Sequence, residues 1–210
     1  MGNPDSPPPV AGLVIAGGKA ERMGADKPFL RFGGGSLLDA VIGRVRPQVA
    51  SLMLNVRPER MEACRARYGD AFALVDDAFG GEVGPLGGVV AGLRCLPPLG
   101  LTWLATFPCD TPFLPDDLVG RLWLAVEPGR EVPIVAVAAG RVQSLCALWP
   151  AGCLGALTDG VASGALRGVW RALDALGAVR IEVAASAHQF FNINTPQDLA
   201  EAEKLAAEGR

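Results

Sequence analysis

Between residues 10 and 110, short apolar runs alternate with helix-like segments, and this alternation restricts the fold more than any other feature of the chain. The apolar runs predict four buried strands, at Val10–Ala16, Ser51–Val56, Phe72–Asp76 and Leu101–Phe107. Helices are predicted after each strand, at Leu37–Val49, Pro58–Tyr68, Gly84–Leu96 and Pro115–Val126. Such short connections in a strand–helix repeat indicate right-handed βαβ units around a parallel sheet.

The second half of the chain is less regular. Two runs on either side of Gly140-Arg141 predict a β-hairpin, Val132–Ala139 and Val142–Leu148. A helix, a short strand and a final helix with a capping box are expected after it, at Leu166–Ala178, Val179–Val183 and Thr195–Ala207. We therefore expect a single three-layer α/β/α domain over residues 10–208, after a flexible tail at residues 1–9. Its sheet should be Rossmann-like and mostly parallel, with an antiparallel addition in the C-terminal half.

The composition argues against several classes of function. With 19 basic and 22 acidic side chains, the net charge is −3 and no long block has one sign, so neither a nucleic-acid nor a membrane partner is expected. The five cysteines are spread out without a C-x-x-C pair, so no zinc site or disulfide framework is predicted. No apolar run approaches the roughly 20 residues of a membrane helix, and the start lacks a signal-peptide pattern. We expect a soluble protein of the cytoplasm.

Polar or glycine residues follow all four of these strands. Gly17-Gly18 follows the first, Asn55 ends the second, Asp77 follows the third and Asp110 follows the fourth. Ligands of open parallel sheets bind beyond the carboxyl ends of the strands. We therefore expect these residues to line one crevice.

The turn after the first strand has the composition of a phosphate-binding loop. Gly17 and Gly18 let backbone N–H groups approach an anion, and Lys19, Arg22 and Lys27 add cations that suit a triphosphate. The glycine spacing matches neither a Walker loop nor G-x-G-x-x-G. A tight strand-to-helix turn with solvated charges is the alternative interpretation of two glycines, and the three cations favour a phosphate site.

Asp110 is the candidate metal ligand. It follows a buried strand directly, and Pro112 restricts the chain after it. Mg²⁺ prefers one or two carboxylates together with phosphate oxygens and water. A turn or N-cap aspartate is the alternative for Asp110, and Asn55 and Asp77 could likewise cap local chain instead of binding a nucleotide.

Gly84-Pro85-Leu86-Gly87-Gly88 opens a predicted helix with glycines on one face. This pattern allows either the close approach of an anionic ligand to the helix N-terminus or tight packing of the helix on the sheet. The lone His188 is expected to be structural, and the cysteines are expected to fill the core.

Four segments together resemble the signature of the molybdenum cofactor guanylyltransferases. The first combines Leu13–Gly18 with Arg22-Met23-Gly24 and Asp26-Lys27-Pro28, and the others are Gly84–Gly88, Pro108–Pro112 and Asn192–Pro196. The resemblance implies a fold of the nucleotide-diphospho-sugar transferase type. It also implies transfer of GMP from GTP to the terminal phosphate of molybdopterin, with Mg²⁺ as cofactor and release of pyrophosphate. Cofactor-delivery proteins and molybdoenzymes are the implied further partners.

The resemblance also implies roles for individual residues. With Gly18 added from the glycine turn, the GTP contacts are Ile15, Ala16, Gly17, Gly18, Lys27, Asn55, Asp77 and Asp110. Asn192 and Asn194 fall on the acceptor side. A phosphate acceptor is already ionised and needs no strong base, so catalysis reduces to positioning and charge neutralisation. We therefore expect Asp110 to hold Mg²⁺, Lys27 to stabilise the α-phosphate, and Arg22 with Lys19 to hold the pyrophosphate.

Two departures from the family pattern and three rival functions accompany this interpretation. Ser36 stands where relatives usually carry proline, and Gln143-Ser144-Leu145 lacks a proline on the acceptor side. The first rival is a related nucleotidyltransferase that uses CTP or a sugar phosphate, and the second is a non-catalytic nucleotide-binding module. The third, a dinucleotide-dependent oxidoreductase, would need a glycine fingerprint that this chain lacks.

Overall fold

The computed structural model describes residues 7–18, 26–80, 83–184, 186 and 188–208. Its strands, in chain order, are β1 (Ala11–Ile15), β2 (Arg31–Phe32), β3 (Gly35–Ser36), β4 (Ser51–Asn55), β5 (Ala73–Val75), β6 (Trp103–Pro108), β7 (Ile134–Ala138), β8 (Arg141–Pro150) and β9 (Val179–Glu182). Strands β2 and β3 form a small antiparallel ribbon. The other seven form one sheet in the order β5-β4-β1-β6-β8-β7-β9.

Helices cover both faces of this sheet. The α-helices of the described chain are α1 (Leu37–Val45), α2 (Pro58–Tyr68), α3 (Pro85–Arg94), α4 (Leu96–Leu99), α5 (Leu118–Trp123), α6 (Leu154–Ala162), α7 (Val169–Ala175) and α8 (Pro196–Ala207). Short 3₁₀ turns occupy Lys27–Phe29, Arg46–Gln48 and Ala151–Cys153. The structure therefore confirms the predicted three-layer α/β/α architecture.

Strand β8 reverses the direction of the sheet. It pairs antiparallel with β6 on one side and β7 on the other, whereas the remaining pairings of the large sheet are parallel. The predicted hairpin is confirmed, with its second strand against β6 and its first strand further out. Because β8 runs backwards, its first residues lie at the edge where the parallel strands end.

The apolar strands bury both of their faces, as their continuous hydrophobicity predicts. In β1, Val14 packs into one core with α1, α2 and α5, whereas Leu13 and Ile15 pack into a second core with α3, α6 and α7. A smaller cluster joins α8 to Phe32 of the ribbon.

Several predicted boundaries are wrong at glycine and proline positions. The helix expected at Leu166–Ala178 begins only at Val169, because Gly168 has a φ of 88°, a conformation that L side chains rarely adopt. The helix predicted at Gly84–Leu96 ends at Arg94. Pro97 and Pro98 lie in the first turn of the next helix, α4, where a missing N–H costs no hydrogen bond.

Some elements escaped prediction altogether. Helix α6 carries Gly155 and Gly160, which interrupt its apolar pattern, and each strand of the ribbon is two residues long. The helix expected at Pro115–Val126 is shorter and begins at Leu118.

Ser36, which departs from the family pattern, begins α1 with a capping box. Its hydroxyl accepts from Asp39 N at 3.2 Å, and Ser36 N donates to Asp39 Oδ2 at 2.7 Å. Arg67 and Tyr68 of α2 donate to the same carboxylate. Burial by itself would raise the pKa of Asp39, but these hydrogen bonds outweigh it and hold that pKa well below its usual range. Asp39 thus joins α1 to α2, and Ser36 helps to hold its carboxylate in place.

Gln48 fastens the end of α1 to the start of α5. Its buried amide nitrogen donates to the carbonyls of Arg44 and Pro115, both at 2.9 Å, and its oxygen accepts from Val119 N at 3.0 Å. These bonds fix the chain segment that follows Asp110.

We expect Gln48→Leu to lower the free energy of unfolding by about 1–3 kcal/mol, because it leaves buried backbone groups without partners. Urea denaturation measures the change. Gln197→Leu, at an exposed position of α8, is the matched control. Equal denaturation midpoints for the two variants would contradict this role.

The predicted capping box of α8 is confirmed. The hydroxyl of Thr195 accepts from Asp198 N at 3.1 Å, and the Asp198 carboxylate accepts from Asn194 N at 2.9 Å and from Thr195 N at 2.8 Å. The hydrogen bond from the backbone N–H of Asn194 is the main reason that the pKa of Asp198 lies below its usual value. The box thereby fixes the backbone at Asn194.

Since the folded-state pKa of Asp198 is below the unfolded value of about 3.9, its contribution to stability is present above about pH 4. It is lost as the pH falls through the folded-state pKa. We expect Asp198→Asn to be less stable than the wild type at pH 7, and the difference to shrink at pH 3. Denaturation at both pH values measures it, with exposed Glu203→Gln as the control. A difference that is the same at both pH values would contradict the assignment.

Candidate active site

The ends of β1, β4 and β6 lie level at one edge of the sheet. In the strand register, Ile15 is opposite both Asn55 and Pro108, and Ala16 N donates to the Asn55 carbonyl at 2.8 Å. The polar residues that follow these strands therefore share the crevice predicted from sequence. Ile15 and Ala16 are buried, whereas Gly18 is exposed.

Asn55 and Asp77 lie against the first turn of α3. The buried side chain of Asn55 donates to the Val75 carbonyl at 3.2 Å, and Asp77 Oδ1 accepts from Phe79 N at 3.0 Å. A Cβ atom on Gly88 would stand 2.5 Å from Asn55 Oδ1, and one on Gly87 would overlap the Asp77 carboxylate.

The glycines of the Gly84–Gly88 segment thus permit tight packing of the helix on two side chains from the sheet edge. Gly84 itself has a φ of 62°. Of the two interpretations of this segment, close helix–sheet packing is confirmed.

Lys27 joins three distant parts of the chain. Its ammonium lies 2.7 Å from Asp110 Oδ2 and 2.8 Å from Asn194 Oδ1. The side chains of Lys27 and Asp110 are only 15% and 20% exposed. A charge-assisted hydrogen bond in such a partly buried place is stronger than a surface ion pair. Lys27 and Asp110, both predicted as catalytic, are therefore in direct contact.

The segment 192–194 closes over Asp110. Ile193 N donates to the Asp110 carbonyl at 2.9 Å, and the Asn192 amide lies 3.1 Å from the buried Thr111 hydroxyl. With its nitrogen facing inward, the Asn192 amide donates to Thr111 and to the Asp110 carboxylate. Asn192 and Asn194, which sequence assigned to the acceptor side, thus contact the same pair of charges as the donor side.

Two arginines of the site were missed by sequence reasoning. Arg57 Nε donates to the Gly17 carbonyl at 2.7 Å, and Arg60 Nη1 donates to the Ala16 carbonyl at 2.8 Å. Arg60 also forms an ion pair with Asp26. Their partners are mainly backbone oxygens, which carry no sequence signal. Their position in the chain, directly after Asn55, was the available clue.

Cys109 is unsuited to covalent catalysis although it adjoins Asp110. Burial, aided by the charge of Asp110, raises the pKa of the Cys109 thiol to about 12, and burial raises that of Cys146 further. Both thiols are neutral near pH 7 and are poor nucleophiles. All five cysteines are free thiols, and all but Cys95 are buried.

Some residues named from the sequence have no observed contact with the site. Lys19 and Arg22 lie outside the described residues, so the predicted pyrophosphate contacts stay predictions. His188 is half-buried in the loop before α8. None of the helices in the described ranges is long and apolar enough to cross a membrane.

A cleft of about 700 Å³ lies beside the crevice, at the same edge of the sheet. The start of β8, the end of β9 and the loop before α8 supply its polar lining, Arg141, Gln143, Glu182, Ser186 and Gln189. Phe190 and Phe191 add an aromatic wall, and the latter immediately precedes Asn192. The cleft therefore connects along the chain to the Lys27–Asp110 pair.

Comparisons with known proteins agree with this geometry. The family model of the MobA-like NTP transferase domain matches residues 12–179. A molybdenum cofactor guanylyltransferase of Mesorhizobium japonicum is 38% identical, covering 93% of this chain and 95% of the relative. One of Cereibacter sphaeroides is 40% identical, covering 92% and 95%. The crystal structure of molybdopterin-guanine dinucleotide biosynthesis protein A from Archaeoglobus fulgidus has the same fold, with a TM-score of 0.78, 24% identity, and 95% and 100% of the two chains covered. The chain belongs to the MobA-like NTP transferase family, as a molybdenum cofactor guanylyltransferase.

Proposed function

We propose that the chain transfers GMP from GTP to the terminal phosphate of molybdopterin, with release of pyrophosphate. The observation that carries this proposal is the contact of Lys27 with Asp110 and Asn194 beside the glycine turn. It brings a cation, a carboxylate and amide groups to the edge of the sheet where nucleotides bind. Residues 10–208 act as one catalytic domain in this proposal.

The donor side is the turn from Ala16 to Gly18 with the strand ends around it. Gly17 and Gly18 offer backbone N–H groups to phosphate oxygens, and Ile15 and Ala16 line the base of the crevice. Asn55 and Asp77 offer hydrogen-bonding groups to the nucleoside. Double glycine at this turn and Cys109-Asp110-Thr111 favour the guanine-using branch of the family over the cytidine-using one.

Asp110 is the proposed Mg²⁺ ligand. Its carboxylate already pairs with one cation, the Lys27 ammonium, and is still partly exposed. Among the residues that the structure describes, no group of three His, Cys, Asp or Glu side chains could enclose a metal ion. The single carboxylate of Asp110 fits Mg²⁺, which takes one or two carboxylates and completes its shell with phosphate oxygens and water. When bound, Mg²⁺ supplies neutralisation of the phosphate charge.

The protein side of the reaction is positioning and charge stabilisation. The acceptor phosphate is ionised near pH 7, so its oxygen needs no strong base to act as the nucleophile. Lys27 stabilises the negative charge that develops at the α-phosphate. Asn194 holds the ammonium in place, and Arg22 with Lys19 is proposed to hold the leaving pyrophosphate.

The acceptor side is proposed to be the cleft of about 700 Å³ lined by Arg141, Gln143, Glu182, Ser186 and Gln189. Arg141 offers a cation to an anionic acceptor, and the amides suit the polar edges of a pterin. Asn192 lies between this cleft and Asp110. Molybdoenzymes and cofactor-delivery proteins are the proposed recipients of the product, and the five free cysteines fit a reducing cytoplasm.

Incubation of the purified chain with GTP, MgCl₂ and molybdopterin tests this function. We expect the guanine dinucleotide and pyrophosphate in equal amounts, and little product when CTP replaces GTP. Equal use of CTP would favour the cytidine-using rival. Binding of GTP without pyrophosphate release, in folded protein supplied with acceptor, would favour a non-catalytic module and contradict the proposal.

We expect Asp110→Asn to lower kcat for GMP transfer by roughly 10²- to 10³-fold, because the amide keeps the size of the side chain but loses its charge. The fold should persist, as circular dichroism can verify. Asp70→Ala, an exposed position between α2 and β5 at the opposite edge of the sheet, is the control. Near-normal turnover by Asp110→Asn would remove Asp110 from the metal site.

A further inference from the structure

Arg57 and Arg60 stand where a helix disfavours positive charge. Arg57 is the N-cap of α2 and Arg60 lies in its first turn. The helix dipole places a partial positive charge at this end, so cations here weaken the helix. The stability of α2 therefore gives no reason for these two arginines. Their contacts outside the helix have to supply one.

Three of those contacts fall on the turn that follows β1. The carbonyl oxygen of Ala16 accepts from Arg60 at 2.8 Å, and that of Gly17 accepts from Arg57 at 2.7 Å. The next carbonyl, of Gly18, lies 3.5 Å from Arg60 Nη1. Consecutive carbonyls of the turn thus face the guanidinium groups of α2.

The orientation of the carbonyls fixes the orientation of the amides. In a trans peptide the C=O of one residue and the N–H of the next point in opposite directions. Since the Ala16 and Gly17 carbonyls face α2, the N–H groups of Gly17 and Gly18 point away from it. Neither amide donates to a backbone carbonyl among the described residues. Within the described part of the chain, both amides are therefore open to an anion.

Arg60 also reaches the chain beyond this turn. Its guanidinium forms an ion pair with Asp26, with the two side chains 13% and 40% exposed. Asp26 directly precedes Lys27, whose ammonium contacts Asp110. One side chain therefore fixes both the glycine turn and the base of Lys27.

We propose that Arg60, assisted by Arg57, is a positioning residue for GTP in this site. Arg60 presents the Gly17 and Gly18 amides to the triphosphate and holds Lys27 in register with them, without touching the nucleotide itself. This inference rests on the proposed function, because it assumes that the turn binds GTP. It assigns part of the nucleotide affinity to residues outside the signature segments.

Titration of Arg60→Ala with GTP and Mg²⁺, without acceptor, tests the proposal. We expect the Kd for GTP to rise by roughly 10- to 100-fold, the effect of losing charge-assisted hydrogen bonds in a partly buried place. Arg60→Lys should recover part of the loss, because an ammonium can pair with Asp26 but lacks the fork that reaches both partners. Arg65→Ala, an exposed arginine of the same helix, should bind GTP normally.

A double-mutant cycle with Asp26→Asn separates positioning from general damage. Asp26→Asn should weaken GTP binding in the wild type and add little to Arg60→Ala. The KM for molybdopterin at saturating GTP should stay unchanged in Arg60→Lys. Should Arg60→Ala fail to fold, Arg60→Lys and Asp26→Asn still decide the question by their Kd for GTP.

A wild-type Kd for GTP in Arg60→Ala and Arg60→Lys would overturn the inference. So would a rise in the KM for the acceptor equal to the rise in the Kd for GTP. A wild type that binds GTP but transfers no GMP would sink the proposed function alone, whereas normal GTP binding by the Arg60 variants of an active enzyme would sink this inference alone.

Discussion

The ion pair between Lys27 and Asp110 is the interaction on which the rest of the site depends. Both charges are largely withdrawn from water, and such charges are costly unless they are paired and hydrogen-bonded. Meeting that condition requires β1 and β6 to end level, so that the segments after them can touch. It also requires Asn194, whose backbone is fixed by the capping box of α8. The pair thus couples the order of the sheet to the placement of a helix at the far end of the chain.

Close packing on the other side of the crevice also fixes the position of the strand ends. Helix α3 lies so near to Asn55 and Asp77 that no side chain would fit at positions 87 and 88, where the chain has glycine. On the remaining side, the arginines of α2 hold the carbonyls of the first turn. The glycines of α3, the arginines of α2 and the polar side chains at the strand ends therefore shape the crevice together. Such a surface suits phosphate oxygens, which bind N–H groups and cations without a demand for particular side chains.

The features predictable from sequence were those with local signals. Apolar runs that end at or just before Gly17, Asn55, Asp77 and Asp110 predicted the strands and their shared edge, since the carboxyl ends of parallel strands lie at the same edge of a sheet. The capping box at Thr195 was likewise readable within a few residues. Contacts between distant segments could not be predicted, because nothing in the sequence near Asn194 indicates that its side chain contacts Lys27. The arginines of α2 were missed because their partners are backbone carbonyls, and α6 was missed because its glycines interrupt the helical pattern.

The central claim is that the crevice around Lys27 and Asp110 holds the triphosphate of GTP, with Mg²⁺ on Asp110. The most direct test is a crystal structure of the chain with a non-hydrolysable GTP analogue and Mg²⁺. We expect phosphate oxygens within hydrogen-bond distance of the Gly17 and Gly18 amides, the α-phosphate beside Lys27, and the metal ion on the Asp110 carboxylate. A triphosphate bound in the cleft lined by Arg141 and Gln189, with the Lys27–Asp110 pair untouched, would contradict it.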